Sequence, residues 1–212
     1  MFKLLQSLHS DIPAITKTHR ICFAKSLSSK LGNDYTAKTF EWFLAGENRF
    51  LFHVTDNEQV IGYCGGFSSL YAGDGSTSGM MQYAMREAVK GTLKRPWLLF
   101  NKEVRSLYPV ITKNIFKKFK KSRNNKVEDT ANTPAEKKVG LVVIGVLPKF
   151  RGEGVFEILM NEFEKQTLLR NIYKIGLSVK KQNERAINAY KKAGWKIEKE
   201  HSNSFEMVKY IK

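Results

Sequence analysis

The stretch that most constrains the fold runs from Val139 to Phe156. Val139-Gly140-Leu141-Val142-Val143-Ile144-Gly145-Val146 is a continuous apolar run, as expected of a strand covered on both faces. Pro148 turns the chain, and Arg151-Gly152-Glu153-Gly154 opens a helix over 154–169 with Val155, Ile158, Leu159 and Phe163 on one face. A buried strand that feeds a helix through a glycine-rich loop calls for a mixed α/β sheet with helices on both faces. The loop has chemical consequences as well. The first N–H groups of the helix lack intrahelical partners, and with the positive end of the helix dipole they form an anion site. Glycines let a phosphate approach without a Cβ in the way. By itself the element is equally compatible with a structural turn. No Gly-Lys-Ser/Thr follows at Walker A spacing, and a G-x-G-x-x-G dinucleotide fingerprint is absent.

Upstream, residues 1–8 read as a short strand. Asp11-Ile12-Pro13 opens a helix that carries Ile15, His19, Cys22 and Phe23 on one face and fades near Ser29. Asp34-Tyr35-Thr36 starts a second helix. Phe50–Val54 and Val60–Phe67, joined by Asp56-Asn57-Glu58, form a hairpin. Downstream, Ile175–Val179 is a strand, and Asn183–Ala193 is a helix stopped by Gly194. Trp195–Glu200 and Phe205–Ile211 make a terminal hairpin. The order is βααββ, an insertion, then βαβαββ, in one domain over 1–212.

In the last helix, Asn183, Ala186, Ile187, Tyr190 and Gly194 fall along one face. Val146, Pro148, Arg151 and Gly154, followed by Asn183, Ala186, Tyr190, Gly194 and Trp195, resemble the GNAT superfamily of acetyl-CoA-dependent N-acetyltransferases. The resemblance covers about residues 139–211, and the element order of 1–69 agrees. One position departs from the pattern: Phe156 stands where the family carries a small residue, beside the expected pyrophosphate.

The resemblance implies a GNAT-like mixed sheet whose two parallel strands, Val139–Val146 and Ile175–Val179, splay apart at the cofactor site. Acetyl-CoA would lie in that gap as cosubstrate, with no metal. Backbone groups of Ile144, Gly145 and Val146 would pair with its pantetheine arm. The amides of Arg151, Gly152, Glu153, Gly154, Val155 and Phe156 would hold the pyrophosphate. Asn183, with Ala186 on the same face, would reach the pantetheine or the acceptor. Tyr190 stands at the family position of the acid that protonates the departing thiolate; the other reading is a packing aromatic. The strand Leu141-Val142-Val143-Ile144 carries no glutamate to act as base. Asp34 is a substitute base or a helix cap, and a water chain would serve equally.

Net charge is +16, which favours anionic partners. Residues 70–137 form a basic, partly helical insertion, with a helix over 75–90 and a polar linker over 124–138. Within 94–126, Trp97, Leu98, Leu99, Phe100, Ile115, Phe116 and Phe119 are interleaved with lysines. This segment is either a lid packed on the domain or a surface for a membrane or an anionic substrate. The acceptor is expected to be a small amine such as an amino sugar. The alternatives are a protein or tRNA acyltransferase that uses the basic surface, nucleic acid being the less favoured partner, and a non-catalytic acyl-CoA-binding module. Met1-Phe2-Lys3-Leu4 leads into no signal-peptide pattern. Cys22 and Cys64 read as buried free thiols of a reducing, cytoplasmic compartment, with the chain a candidate for the membrane periphery.

Overall fold

The computed structural model of the chain describes residues 1–69, 76–100 and 137–212. Among these, the elements run β1 (Lys3–Gln6), α1 (Ile12–Cys22), α2 (Leu27–Leu31), α3 (Asn33–Leu44), β2 (Arg49–Asp56), β3 (Gln59–Ser69), α4 (Ser76–Tyr83) and α5 (Met85–Lys94). They continue with β4 (Lys138–Val146), α6 (Val155–Leu168), β5 (Lys174–Lys180), α7 (Glu184–Lys192), β6 (Lys196–Glu200) and β7 (Ser204–Tyr210). The seven described strands form one sheet in the order β1-β2-β3-β4-β5-β7-β6. Every neighbouring pair is antiparallel except β4 and β5. The expected mixed α/β architecture is therefore present.

The sheet has an apolar cluster on each face. On one, Ile12 and Ile15 of α1 and Phe40, Trp42 and Phe43 of α3 pack on Leu51, Val60, Tyr63 and Phe67. On the other, Val155, Leu159 and Phe163 of α6 and Ile187 and Tyr190 of α7 pack on Phe50, Phe52, Ile61 and Ile175. Gly65 and Gly66 permit this double coverage. A Cβ on Gly65 would stand 2.7 Å from the Phe43 ring, and one on Gly66 2.3 Å from the Phe50 ring.

Strand β4 leaves β5 early. Only Val139↔Ile175 and Gly140↔Gly176 pair before the two strands part. On its other edge the register to β3 shifts between Gly66↔Leu141 and Gly65↔Val143, which leaves Val142 as an extra residue. A bulge bends its strand and increases the local twist. Falling immediately after the last β4–β5 pair, this one opens the gap from Leu141 onward.

Several sequence expectations need correction. The first helix ends at Cys22 instead of fading near Ser29, because Phe23 leaves helical geometry (φ −131°, ψ 45°) and Ser26 caps the separate α2. Asp34 is not a cap: α3 begins at Asn33, with Asp34 in the first turn, where it complements the helix dipole. The helix expected over 75–90 is two helices, broken at Ala84. Cys64 is buried as expected, but Cys22 is only partly so; both thiols are free. The Ile115, Phe116 and Phe119 cluster and most of the polar stretch 124–138 lie outside the described residues. No helix among the described residues is long and apolar enough to cross a membrane.

Candidate active site

The gap opens into a groove of about 1310 Å³ that runs through the sheet from one face to the other. One wall is β4 from Leu141 to Val146, and the opposite wall is Leu177 to Lys180 of β5 with Asn183 to Tyr190 at the start of α7. Arg151, Gly152, Phe156 and Glu157 close it at the loop. His19, Cys22, Phe23 and Ser26 line it from the side of α1.

Backbone polarity along β4 follows from one bond. The Leu147 N–H donates to the Ile61 carbonyl at 2.8 Å, so Leu147 faces β3. Successive residues of a strand alternate their backbone groups between its two edges. Val146 and Ile144 therefore turn theirs toward the gap, while Gly145 turns its own toward β3. Of the three residues expected to pair with a pantetheine arm, Ile144 and Val146 face it. Gly145 plays a steric part: a Cβ there would meet the Tyr63 hydroxyl at 2.6 Å. The Val146 carbonyl accepts a hydrogen bond from Arg151 Nε at 3.0 Å, which folds the loop back onto the strand.

Gly152 and Gly154 both adopt left-handed backbone (φ 88° and 82°), where any side chain is strained. Nothing lies within 4 Å of a Cβ at either position. These glycines are thus required by conformation, and the space beyond them is open to a ligand. The Ile158 N–H donates to the Gly154 carbonyl at 3.0 Å, so the amides before it stand at the free N-terminus of α6. Two guanidinium groups add positive charge. Arg151 is pulled below its usual pKa first by burial and then by the like charge of Arg185. Neither has a carboxylate partner among the described residues. Orphan amides, open glycines and two like charges held together fit a ligand with several phosphate groups. Glu153 and Gly154 belong to this loop and Val155 begins α6; none of the three lines the groove directly.

Tyr190 is buried on α7, with its ring 5.9 Å from Phe156 and 5.7 Å from Trp195. Phe156 thus packs its ring against Tyr190 while also lining the groove. Burial pushes the Tyr190 phenol well above its ordinary value, with the Cys64 thiol adding to the shift. It stays protonated at neutral pH. Its hydroxyl has no hydrogen-bond partner among the described residues, although the residue lines the groove. Asn183 caps α7, its Oδ1 accepting from the Ala186 N–H at 3.3 Å, which leaves the side-chain NH2 free. Asp34 is exposed and lies outside the groove lining.

The structure adds residues that sequence reading did not assign. His19 hydrogen-bonds the Tyr63 hydroxyl through Nδ1 (2.6 Å) and the Ser28 hydroxyl through Nε2 (2.8 Å). Burial lowers its pKa to about 4, so it is neutral. Cys22 sits against Arg151; burial raises its thiol to about 11 despite the opposing charges of Arg151 and Arg185. Their signal in the sequence was the placement of His19 and Cys22 on the apolar face of α1, since a histidine there needs partners for both nitrogens. No cluster of three or more His, Cys, Asp or Glu among the described residues is placed to hold a metal.

A mixed sheet with a splayed parallel pair and a glycine loop at the start of the next helix is shared with known proteins. Residues 121–195 match the acetyltransferase (GNAT) family. The fold is similar to that of the ribosomal-protein-S18-alanine N-acetyltransferase from Escherichia coli, at 14% identity and a TM-score of 0.56, covering 100% of this chain and 94% of that one. It is also similar to Arabidopsis thaliana NAA60 in complex with acetyl-CoA, at 15% identity and a TM-score of 0.57, covering 100% and 99%. The PaiA N-acetyltransferase from Thermoplasma acidophilum in complex with coenzyme A gives 12% identity and a TM-score of 0.57, covering 99% of each chain. Over residues 121–195 the chain thus resembles the acetyltransferase (GNAT) family, and over its length it shares the fold of these N-acetyltransferases.

Proposed function

We propose that this chain moves an acetyl group from acetyl-CoA to the primary amine of a small acceptor, such as an amino sugar, by direct transfer in a ternary complex. The observation that carries the proposal is the single groove. It is continuous from the Gly152–Gly154 loop, along the unpaired edge of β4, to His19 and Ser26 on the side of α1. A donor held at one end and an acceptor at the other would meet beside Val146 and Tyr190.

Bound acetyl-CoA would supply the acyl group as an activated thioester. The amides of Gly152 to Phe156, with Arg151 and Arg185, would take its phosphates, and Ile144 and Val146 would add its pantetheine arm to the edge of β4. The Val146 N–H faces the gap and would donate to the acyl oxygen as charge develops there. Tyr190 keeps its proton at neutral pH and would deliver it to the leaving sulfur. Phe156 and Trp195 fix the Tyr190 ring, so little ordering is left for the reaction itself. Exposed Leu93, Trp97 and Phe100, near Lys90 and Lys94, support an acceptor held at an anionic surface.

Coenzyme A release, followed with a thiol reagent, tests the proposal. Acetyl-CoA is supplied with amino sugars, simple amines, peptides or tRNA. Release that depends on an amino sugar or simple amine supports it. Release only with peptide or tRNA moves the acceptor to a macromolecule, and acetyl-CoA binding without release under any condition leaves a non-catalytic binding module.

A further inference from the structure

The α1–α2 wall of the groove carries a hydrogen-bonded chain that the transfer chemistry does not use. It runs from Tyr63 through His19 Nδ1 (2.6 Å) and Nε2 to Ser28 Oγ (2.8 Å), and from there to Ser26 Oγ (2.9 Å). Ser26 also accepts from the Ser29 N–H at 3.3 Å, the capping bond of α2. Ser26 lines the groove.

The direction of this chain is fixed from its buried end. Tyr63 is fully buried, and His19 Nδ1 is the only hydrogen-bond partner of its hydroxyl among the described residues. A buried hydroxyl without an acceptor is costly, so Tyr63 donates to Nδ1. A neutral imidazole has one ring proton, which must then sit on Nε2. Nε2–H donates to Ser28, and because the Ser26 proton goes to Ser29 Oγ, the Ser28 hydroxyl is the donor in its contact with Ser26. Ser26 Oγ then accepts from both Ser28 and the Ser29 amide, and its two lone pairs are used. Its own O–H donates to Ser29 Oγ at 3.2 Å, a long bond that a better-placed oxygen in the groove can replace.

The geometry points to Ser26 as a one-way donor at the acceptor end of the groove, selecting amines that carry a hydroxyl or carbonyl oxygen close to the reacting nitrogen. It equally rejects acceptors that present only N–H groups there, because Ser26 has no lone pair left for them. Ser26 is the specificity-determining residue; His19, Ser28 and Tyr63 are positioning residues that set its polarity. The inference rests on the acetyl-transfer reading for the identity of the groove's two ends.

Two experiments test it without requiring turnover. In protein labelled with ¹⁵N-histidine, the His19 signal, assigned with His19→Gln, is expected to show a neutral ring protonated on Nε2 at pH 7. In Tyr63→Phe that fixed tautomer is expected to be lost. A ring protonated on Nδ1 in the wild type overturns the polarity. In the second, matched amines (ethanolamine against n-propylamine, glucosamine against cyclohexylamine) are titrated into protein saturated with coenzyme A. The oxygen-bearing member is expected to bind roughly five- to tenfold more tightly, the range of one net hydrogen bond. Ser26→Asp keeps an excellent helix cap but cannot donate, and is expected to abolish the preference. Ser26→Thr keeps the hydroxyl and is expected to retain it. His19→Gln is expected to weaken the preference and add nothing in the Ser26→Asp background. Equal binding within each pair, no binding by either member, or a preference that survives Ser26→Asp overturns the inference. Affinity for coenzyme A, measured separately, reports on the transfer reading itself.

Discussion

Replacing Gly154 separates the conformational role of the glycine loop from its binding role. The residue sits at φ 82°, and a Cβ there would touch nothing within 4 Å. Gly154→Ala therefore meets no clash, and its cost to folding is backbone strain alone, about 1–2 kcal/mol for a residue forced into left-handed geometry. Reduced freedom of the unfolded chain offsets about 0.4–1 kcal/mol of this. The net is about 1 kcal/mol, or a Tm lower by about 2–4 °C in a domain of this size. Binding is expected to suffer more, because the open space beside the loop is where phosphate would lie. A methyl group there is expected to weaken acetyl-CoA by about tenfold, equivalent to about 1.4 kcal/mol. Gly154→Asp adds a negative charge. At roughly 6 Å from a phosphate, with an effective dielectric of about 20, the repulsion is about 3 kcal/mol, more than a hundredfold in affinity. Calorimetric titration of acetyl-CoA into the three proteins, with thermal denaturation of each, measures both quantities. Unchanged affinity in both variants alongside a lowered Tm would refute the placement of the phosphates at this loop.

Tyr190→Phe keeps the packing on Phe156 and Trp195 and is expected to lower kcat by about a hundredfold, with KM for acetyl-CoA little changed; an unaltered single-turnover rate would remove Tyr190 from the chemistry. Gly145→Ala would press a methyl group to 2.6 Å from the Tyr63 hydroxyl, so a loss of about 1–3 kcal/mol is expected in urea unfolding, and an unperturbed midpoint would contradict the close packing of the Tyr63 side chain against β4. His19 has a folded pKa of about 4, below its ordinary 6.5. Between these values the unfolded chain binds the proton and the folded one does not. Its contribution is thus complete above pH 6.5 and falls by about 3 kcal/mol as pH drops to 4. Urea unfolding at pH 7, 5.5 and 4 is expected to show a shallower decline for His19→Gln than for wild type; equal slopes would show that His19 is not held neutral. His53 shifts in the same direction, so the comparison between the two proteins isolates His19.

The parts of the site legible in the sequence are those built from contiguous residues. The strand, glycine loop and helix from Val139 to Phe156 could be read because burial on both faces leaves an uninterrupted apolar run, and left-handed turns leave glycines. Tyr190 and Asn183 could be read because helix period puts them on one face. What escaped depends on contacts distant in the chain. The bulge at Val142 that opens the groove has no local sequence mark, because its cause is a one-residue mismatch of register with β3. Tyr63 lies 44 residues from His19, so no spacing argument joins them. The break after Cys22 was missed because Phe23 to Ser29 keeps residues compatible with a helix, and only the Ser26 cap marks the restart. That break carries Ser26 to the wall of the groove, where a longer first helix would not have placed it.

The central claim is that the gap between β4 and β5 is the acetyl-CoA site. Hydrogen–deuterium exchange with and without acetyl-CoA tests it most directly, because the amides concerned are named. The account predicts slowed exchange in 144–157 and 183–190 on adding acetyl-CoA, with β1 and β2 unaffected. Saturation with acetyl-CoA that leaves 144–157 unchanged, or protection confined to other parts of the chain, would contradict it.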